Sequence, residues 1–216
     1  MIHGHLGADL VTARQAQFVA DAETARLARQ IRRGRIVDAA AAAEARPSGV
    51  VTRALEPEDA EHLRALFGRL SERSRWLRYL APLRKLSEPA LRRLASVDHD
   101  SHEALGAFEE GELVGVAHYF RDRAEPAYAE ISVEVADSHQ RRGIGPRLLN
   151  ELAVLARERG ITAFKATALR ENRGVLSMVH NSDWPKVVTP AGPELDIALT
   201  LPDITPVPVG ALSPCS

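Results

Sequence analysis

Six consecutive residues, Gln140-Arg-Arg-Gly-Ile-Gly145, hold the densest potential chemistry in this chain. Two glycines without a Cβ let a ligand approach the backbone closely. The segment leads into a helix, and the free N–H groups of a helix start, with its dipole, favour anions. Arg141 and Arg142 add positive charge, and a pyrophosphate is the natural guest. The spacing is not the dinucleotide fingerprint, because a third glycine is absent. No Gly-Lys-Ser/Thr follows, which excludes a phosphate-binding P-loop. Taken alone, the segment is equally a tight strand-to-helix turn with charged flanks.

Just upstream, Tyr128-Ala-Glu-Ile-Ser-Val-Glu-Val135 alternates strictly. In a strand, Ile131, Val133 and Val135 share one face, and Glu130, Ser132 and Glu134 share the other. Two carboxylates on one face raise each other's pKa and can take a proton. Either could instead pair with an arginine of a neighbouring strand. Asp98-His-Asp-Ser-His-Glu103 offers a weaker pattern. His99 and His102 have metal-like spacing but fall just before a strand, so a polar loop without metal is expected.

The elements that must position these residues follow from periodicity. Val50–Leu55 predicts a strand, and Pro57-Glu-Asp opens a helix carrying Leu63, Leu66, Phe67 and Leu70. A second helical patch runs from Ser74 to Leu80, with Trp76 and Tyr79 assigned to the core, and a third starts at Ser87. Residues 103–108 and 112–120 flank Glu109-Glu-Gly111 as a hairpin. After the glycine pair, Leu148, Leu149, Leu152, Leu155 and Ala156 form an apolar helical stripe that Gly160 terminates. A strand over 161–168, a helix over 172–179 with His180 on its surface, and a closing hairpin ending at Leu201 complete the pattern.

Composition narrows the class. Lys and Arg total 28 against 29 Asp and Glu, a net charge of −1, which argues against a nucleic-acid partner. One cysteine, Cys215, excludes an internal disulfide framework and a cysteine-based zinc cluster, and points to the cytoplasm. No run of 18 apolar residues exists, so no membrane partner is expected. Residues 1–48 read as a helical, flexible extension, with a helix over 10–33 and a basic stretch at 29–35. Residues 49–201 form the main domain, and 202–216, rich in proline, a flexible tail.

Gln-x-x-Gly-x-Gly, after a valine-rich strand and before an amphipathic helix, resembles the acyl-CoA-binding motif of the GNAT superfamily of N-acetyltransferases. The element order over about Val50 to Leu201 is also similar. The resemblance implies an α/β fold with a mixed, mostly antiparallel central sheet flanked by helices. It implies acetyl-CoA as co-substrate, held by Gln140, Arg141, Arg142, Gly143, Ile144 and Gly145. Backbone groups of Val133 and Val135 would face the thioester, and Asn172 would meet the pantetheine arm or position the thioester end. Leu70–Tyr79, Val97–Leu105 and Ala129-Glu-Ile-Ser-Val133 further resemble the bacterial protein lysine acetyltransferase (Pat-like) branch. In that branch the glutamate of the Ala-Glu strand is the general base, here Glu130, with Glu134 in reserve.

The implied reaction is transfer of acetyl to an amine, most simply a protein lysine. A small-molecule amine and a non-catalytic acyl-CoA-binding sensor remain as alternatives. Only a neutral amine attacks, and deprotonating a lysine at pH 7 costs roughly 4–5 kcal/mol, hence the need for a base. The sequence departs from the superfamily in lacking a tyrosine after the Asn172 helix. A thiol of pKa about 8.5 can leave without one. Val179–Trp184 also lacks the glycine usual there.

Overall fold

In the computed structural model, which describes residues 49–202, seven strands form one sheet. The helix expected over 10–33, the basic stretch at 29–35, Cys215 and the tail after 202 lie outside the described residues. In chain order the elements are β1 (Val50–Ala54), α1 (Ala60–Arg69), α2 (Glu72–Tyr79), α3 (Glu88–Ala95), β2 (His102–Glu109), β3 (Glu112–Arg121), β4 (Tyr128–Val135), α4 (Ile144–Glu158), β5 (Ala163–Leu169), α5 (Arg173–Asn181), β6 (Lys186–Ala191) and β7 (Glu194–Thr200). The sheet order is β1-β2-β3-β4-β5-β7-β6, antiparallel throughout except β4–β5. The fold is thus the expected mixed, mostly antiparallel α/β sheet flanked by helices.

Strand alternation sorts the core into two layers. One face buries Leu105, Ala117, Tyr119, Ile131, Phe164, Ile197 and Leu199 against the apolar stripe of α4, from Leu148 to Ala156. Arg147 of α4 also reaches β1, donating to the Val50 carbonyl and the Thr52 hydroxyl at 3.0 and 2.9 Å. The other face buries Ala104, Phe108 and Val116 against Leu63, Leu66 and Phe67 of α1 and Leu91 of α3. Gly160, at φ +78°, ends α4 as expected, with the Ile161 N–H returning to the Ala156 carbonyl at 2.9 Å.

Three readings need correction. Trp76 does not enter the core: it is 40% exposed on α2, whereas Tyr79 packs against the α1–α3 layer. His102 is not in a polar loop; it opens β2 and is buried. The second helix starts earlier than Ser74, because the Ser71 hydroxyl accepts the Ser74 N–H at 3.1 Å and caps it.

Gly106 marks the tightest packing. A Cβ there would lie 2.7 Å from Leu55, Leu113 and Phe108 side-chain atoms. Leu55 and Leu113 are fully buried and cannot swing away. Gly106→Ala is therefore expected to lower unfolding free energy by about 1–3 kcal/mol, read by denaturant titration.

Candidate active site

Parallel pairing of β4 with β5 holds for three rungs only: Tyr128 with Ala163, Ala129 with Phe164 and Glu130 with Lys165. Beyond Glu130, β4 stays with β3 while β5 stays with β7, so the sheet forks. The Ala136 N–H donates to the Val114 carbonyl at 2.9 Å. By antiparallel alternation, the backbone groups of Ile131, Val133 and Val135 therefore turn away from β3 and into the fork. This gap exposes polar backbone in mid-sheet, where a ligand with hydrogen-bonding groups can complete it.

The glycine-rich loop stands at the open end of the fork. Gln140 donates from Nε2 to the Val135 carbonyl at 3.1 Å and ties loop to strand. Arg141 and Gly143 both have positive φ, 61° and 78°, with Gly143 as the N-cap of α4. Such alternation around a helix start turns successive N–H groups toward one concavity, a fitting cradle for phosphate oxygens. Gly143 is exposed, and a Cβ there would meet nothing within 4 Å. Gly145 faces inward, its Cα side 3.8 Å from Val133 and from Met178 of α5 if a Cβ were present. Ile144 is buried and anchors the turn.

Arg142 is engaged within the protein. Its guanidinium grips Glu109 at 2.5 and 3.0 Å, and His139 holds the same carboxylate at 2.9 Å. Arg142 chiefly, and His139 after it, hold the Glu109 carboxyl below its usual range. Arg141 remains exposed at the loop. A bulky Gly143→Val change forces a β-branched residue into left-handed backbone, at a cost of about 1–3 kcal/mol. It is expected to weaken acetyl-CoA binding at least about tenfold, measurable by calorimetry.

Across the fork, Asn172 is the N-cap of α5: its Oδ1 accepts the Val175 N–H at 3.1 Å. Its Nδ2 donates to the Leu77 carbonyl of α2 at 3.5 Å. The same end of α2 reaches β4. Tyr79 donates its hydroxyl to Glu134 at 2.9 Å, Arg78 lies 3.4 Å from that carboxylate, and Arg78 donates to the Ser132 hydroxyl at 2.7 Å. Thus α2 bridges the two arms of the fork. Burial first, and the Glu134 charge next, push the Tyr79 hydroxyl upward, so it stays protonated and donating.

Asp137, in the turn after β4, fastens the start of α2. It accepts the Ser71 N–H at 2.8 Å and the Ser71 and Ser74 hydroxyls at 2.9 and 2.7 Å. Burial pushes this carboxyl up, but those hydrogen bonds outweigh it and hold it below its usual range. Sequence reasoning missed Arg78, Tyr79, Ser71 and Asp137 as parts of the site.

The two candidate carboxylates share a face but differ in setting. Glu134 is buried and engaged by Arg78 and Tyr79. Glu130 is exposed and occupies the last paired rung, at the apex of the fork. Its cross-strand neighbour Lys165 turns instead to Glu125 and Asp122, at 3.0 and 3.8 Å.

A forked sheet with an anion cradle at a helix start defines an acyl-CoA-dependent acyltransferase. The profile of the acetyltransferase (GNAT) family matches residues 61–179, and the chain belongs to that family. It is 31% identical over 130 residues to acetyltransferase PA5475 of Pseudomonas aeruginosa, covering 58% of this chain and 69% of that one. The crystal structure of the GNAT domain of S. lividans PAT is similar at 27% identity, with a TM-score of 0.66, over 69% of this chain and 89% of that domain. YncA of Salmonella typhimurium, solved with its cofactor acetyl-CoA, shares the fold at 18% identity and TM-score 0.57, over 73% and 96% of the two chains. The protein is an N-acetyltransferase that uses acetyl-CoA as co-substrate. No helix among the described residues is long and apolar enough to cross a membrane.

Proposed function

We propose that this chain transfers the acetyl group of acetyl-CoA to the side-chain amine of protein lysines in the cytoplasm, with Glu130 as the proton acceptor. The observation that carries the reading is the position of Glu130 at the apex of the fork, exposed and facing away from α4. On that same face, Thr167 of β5 and its cross-strand partner Asp196 of β7 are also exposed. The acceptor side is therefore open to solvent on both arms, as a side chain presented by another protein requires. The segments Leu70–Tyr79, Val97–Leu105 and Ala129–Val133, which resemble the protein lysine acetyltransferase branch, point the same way.

In this reading Gln140 to Gly145 hold the pyrophosphate of acetyl-CoA, and Asn172 with the inward backbone of Val133 and Val135 receives its acyl end. Acetyl-CoA supplies the activated thioester. A backbone N–H fixed in the fork polarises the thioester carbonyl at no reorganisation cost. Glu130 removes a proton from the incoming ammonium, and Glu134 holds α2 across the fork. The catalytic unit is residues 49–201, with 1–48 and 202–216 as flanks outside it.

Isotope-labelled acetyl-CoA in a lysate of the source organism, followed by mass spectrometry, tests the acceptor class. Label on protein lysines, absent with Glu130→Gln, supports the reading. Label on small amines replaces the acceptor, and binding of acetyl-CoA without transfer to anything leaves a sensor.

A further inference from the structure

The rung of the sheet that ends at Glu130 carries a cation that nothing above uses. His102 of β2, Phe120 of β3 and Glu130 of β4 stand directly opposite one another and share one face. Phe120 is therefore one strand spacing, about 5 Å, from Glu130. The His102 ring stacks on Phe120 with centroids 4.1 Å apart, and His118 of β3 stacks on His102 at 5.4 Å. The two histidines are buried and share a hydrogen bond of 3.2 Å between His102 Nε2 and His118 Nδ1. Phe120 is half-buried against this stack, which fixes its ring.

Over that ring lies Arg93 of α3, its guanidinium carbon 5.2 Å from the Phe120 centroid. A ring contact of this kind holds a cation without consuming its N–H donors. Arg93 is exposed, and its side chain has no hydrogen bond and no carboxylate partner among the described residues. Burial holds the imidazoles of His102 and His118 below their ordinary range, so at pH 7 Arg93 is the charge of this stack. The neighbouring chain adds to its field. Residues 84–93 contain Arg84, Lys85, Arg92 and Arg93 against Glu88 alone, and Arg64 of α1 takes Glu88 at 2.8 Å. In a chain of net charge −1, this is a positive patch whose inner end, Arg93, stands beside Glu130.

We propose that Arg93 determines which lysines are acetylated: it receives the carboxylate of an aspartate or glutamate that flanks the acceptor lysine. The inference rests on the protein-lysine reading above. With the acceptor nitrogen at Glu130, the flanking side chains of the same segment come down beside it. Along an extended chain, side chains on one face recur about every 6.8 Å, comparable with the strand spacing from Glu130 to Phe120. A side chain one or two residues from the lysine therefore reaches the guanidinium over Phe120. The planar fork of a guanidinium matches a carboxylate and can hold it by two N–H groups. A lysine or arginine in the same place meets the like charge of Arg93 and is disfavoured. The face thus sorts acceptors by sign, with the amine at the Glu130 carboxylate and the flanking acid at the cation one strand away.

The test reads selectivity rather than rate. Three short peptides carry one lysine flanked on both sides by glutamate, by glutamine or by arginine, and thiol release from acetyl-CoA is followed for each with the full chain. For the wild type, kcat/KM is expected to be about fivefold higher with glutamate flanks than with glutamine flanks, and lowest with arginine flanks. The preference resides in KM for the peptide and shrinks as salt rises from about 0.02 M to about 0.5 M. Arg93→Gln removes the preference and Arg93→Lys keeps part of it. Arg93→Glu inverts it in favour of the arginine-flanked peptide, a result that loss of packing on Phe120 cannot produce. Equal kcat/KM for the three peptides with the wild type overturns the proposal alone, as does a ranking that Arg93→Gln and Arg93→Glu both retain. Transfer by the wild type to free lysine and to no peptide overturns the protein-lysine reading and this proposal with it.

Discussion

Glu130→Gln is expected to lower kcat by about 10²-fold or more at pH 7, the usual worth of a positioned proton acceptor. The amide keeps the shape of the side chain and loses only its capacity to take a proton. Glu130 is exposed, and Lys165 beside it is paired elsewhere, with Glu125 and Asp122. Surface changes of this kind move stability within about 0.5 kcal/mol. Binding of acetyl-CoA should also be unchanged, because the Gln140–Gly145 loop proposed to hold its pyrophosphate lies at the other end of the fork. The expected signature is thus a loss in kcat with unchanged melting temperature and unchanged calorimetric affinity for acetyl-CoA. Raising the pH should recover part of the loss, since free amine then needs no base. An unchanged kcat would remove Glu130 from the proton path. A lost affinity for acetyl-CoA with unchanged kcat would place it on the co-substrate instead.

The residues that could be read ahead of the structure were those with a local signature. Alternation over Tyr128–Val135 separates Glu130, Ser132 and Glu134 from Ile131, Val133 and Val135, and the structure keeps that division. The Gln140–Gly145 loop is legible because glycine and proline at a helix start have few other uses, and α4 begins at Ile144. The fork itself has no local signature. It is the ending of the β4–β5 pairing at Glu130 and Lys165 while β5 stays paired with β7 to Leu169, and periodicity is blind to which strand pairs with which. The tie from Tyr79 to Glu134 spans 55 residues and is equally hidden. Trp76 was misplaced because large aromatics sit in cores more often than not, and the exposed side of α2 overrides that tendency. His102 and His118 were missed as a pair because each is a single polar residue in an apolar strand. Only the β2–β3 register brings them together.

Removing Glu134 should have the opposite signature to removing Glu130. Its side chain is 5% exposed, and that of Arg78 is 20% exposed. Glu134→Leu leaves the Arg78 cation in a largely dry site and the Tyr79 hydroxyl without its acceptor. Breaking one side of a buried ion pair typically costs about 3–5 kcal/mol. The loss should appear as a lower urea midpoint at unchanged slope, since the compactness of both end states is retained. The double change Arg78→Met with Glu134→Leu should recover much of it, because an apolar pair of similar volume removes the stranded charge. Recovery of stability need not restore function. In the double variant α2 no longer grips β4 through Arg78 and Tyr79, although the Leu77 carbonyl still meets Asn172 on the other arm. The bridge over the fork is then held at one end only. Substrate positioning should suffer, raising KM for the acceptor, while the proton path proposed for Glu130 should be unaffected. A double variant as unstable as Glu134→Leu alone would show that Glu134 stabilises through something other than this pair. A stable double variant with wild-type KM would show that the fork needs no bridge.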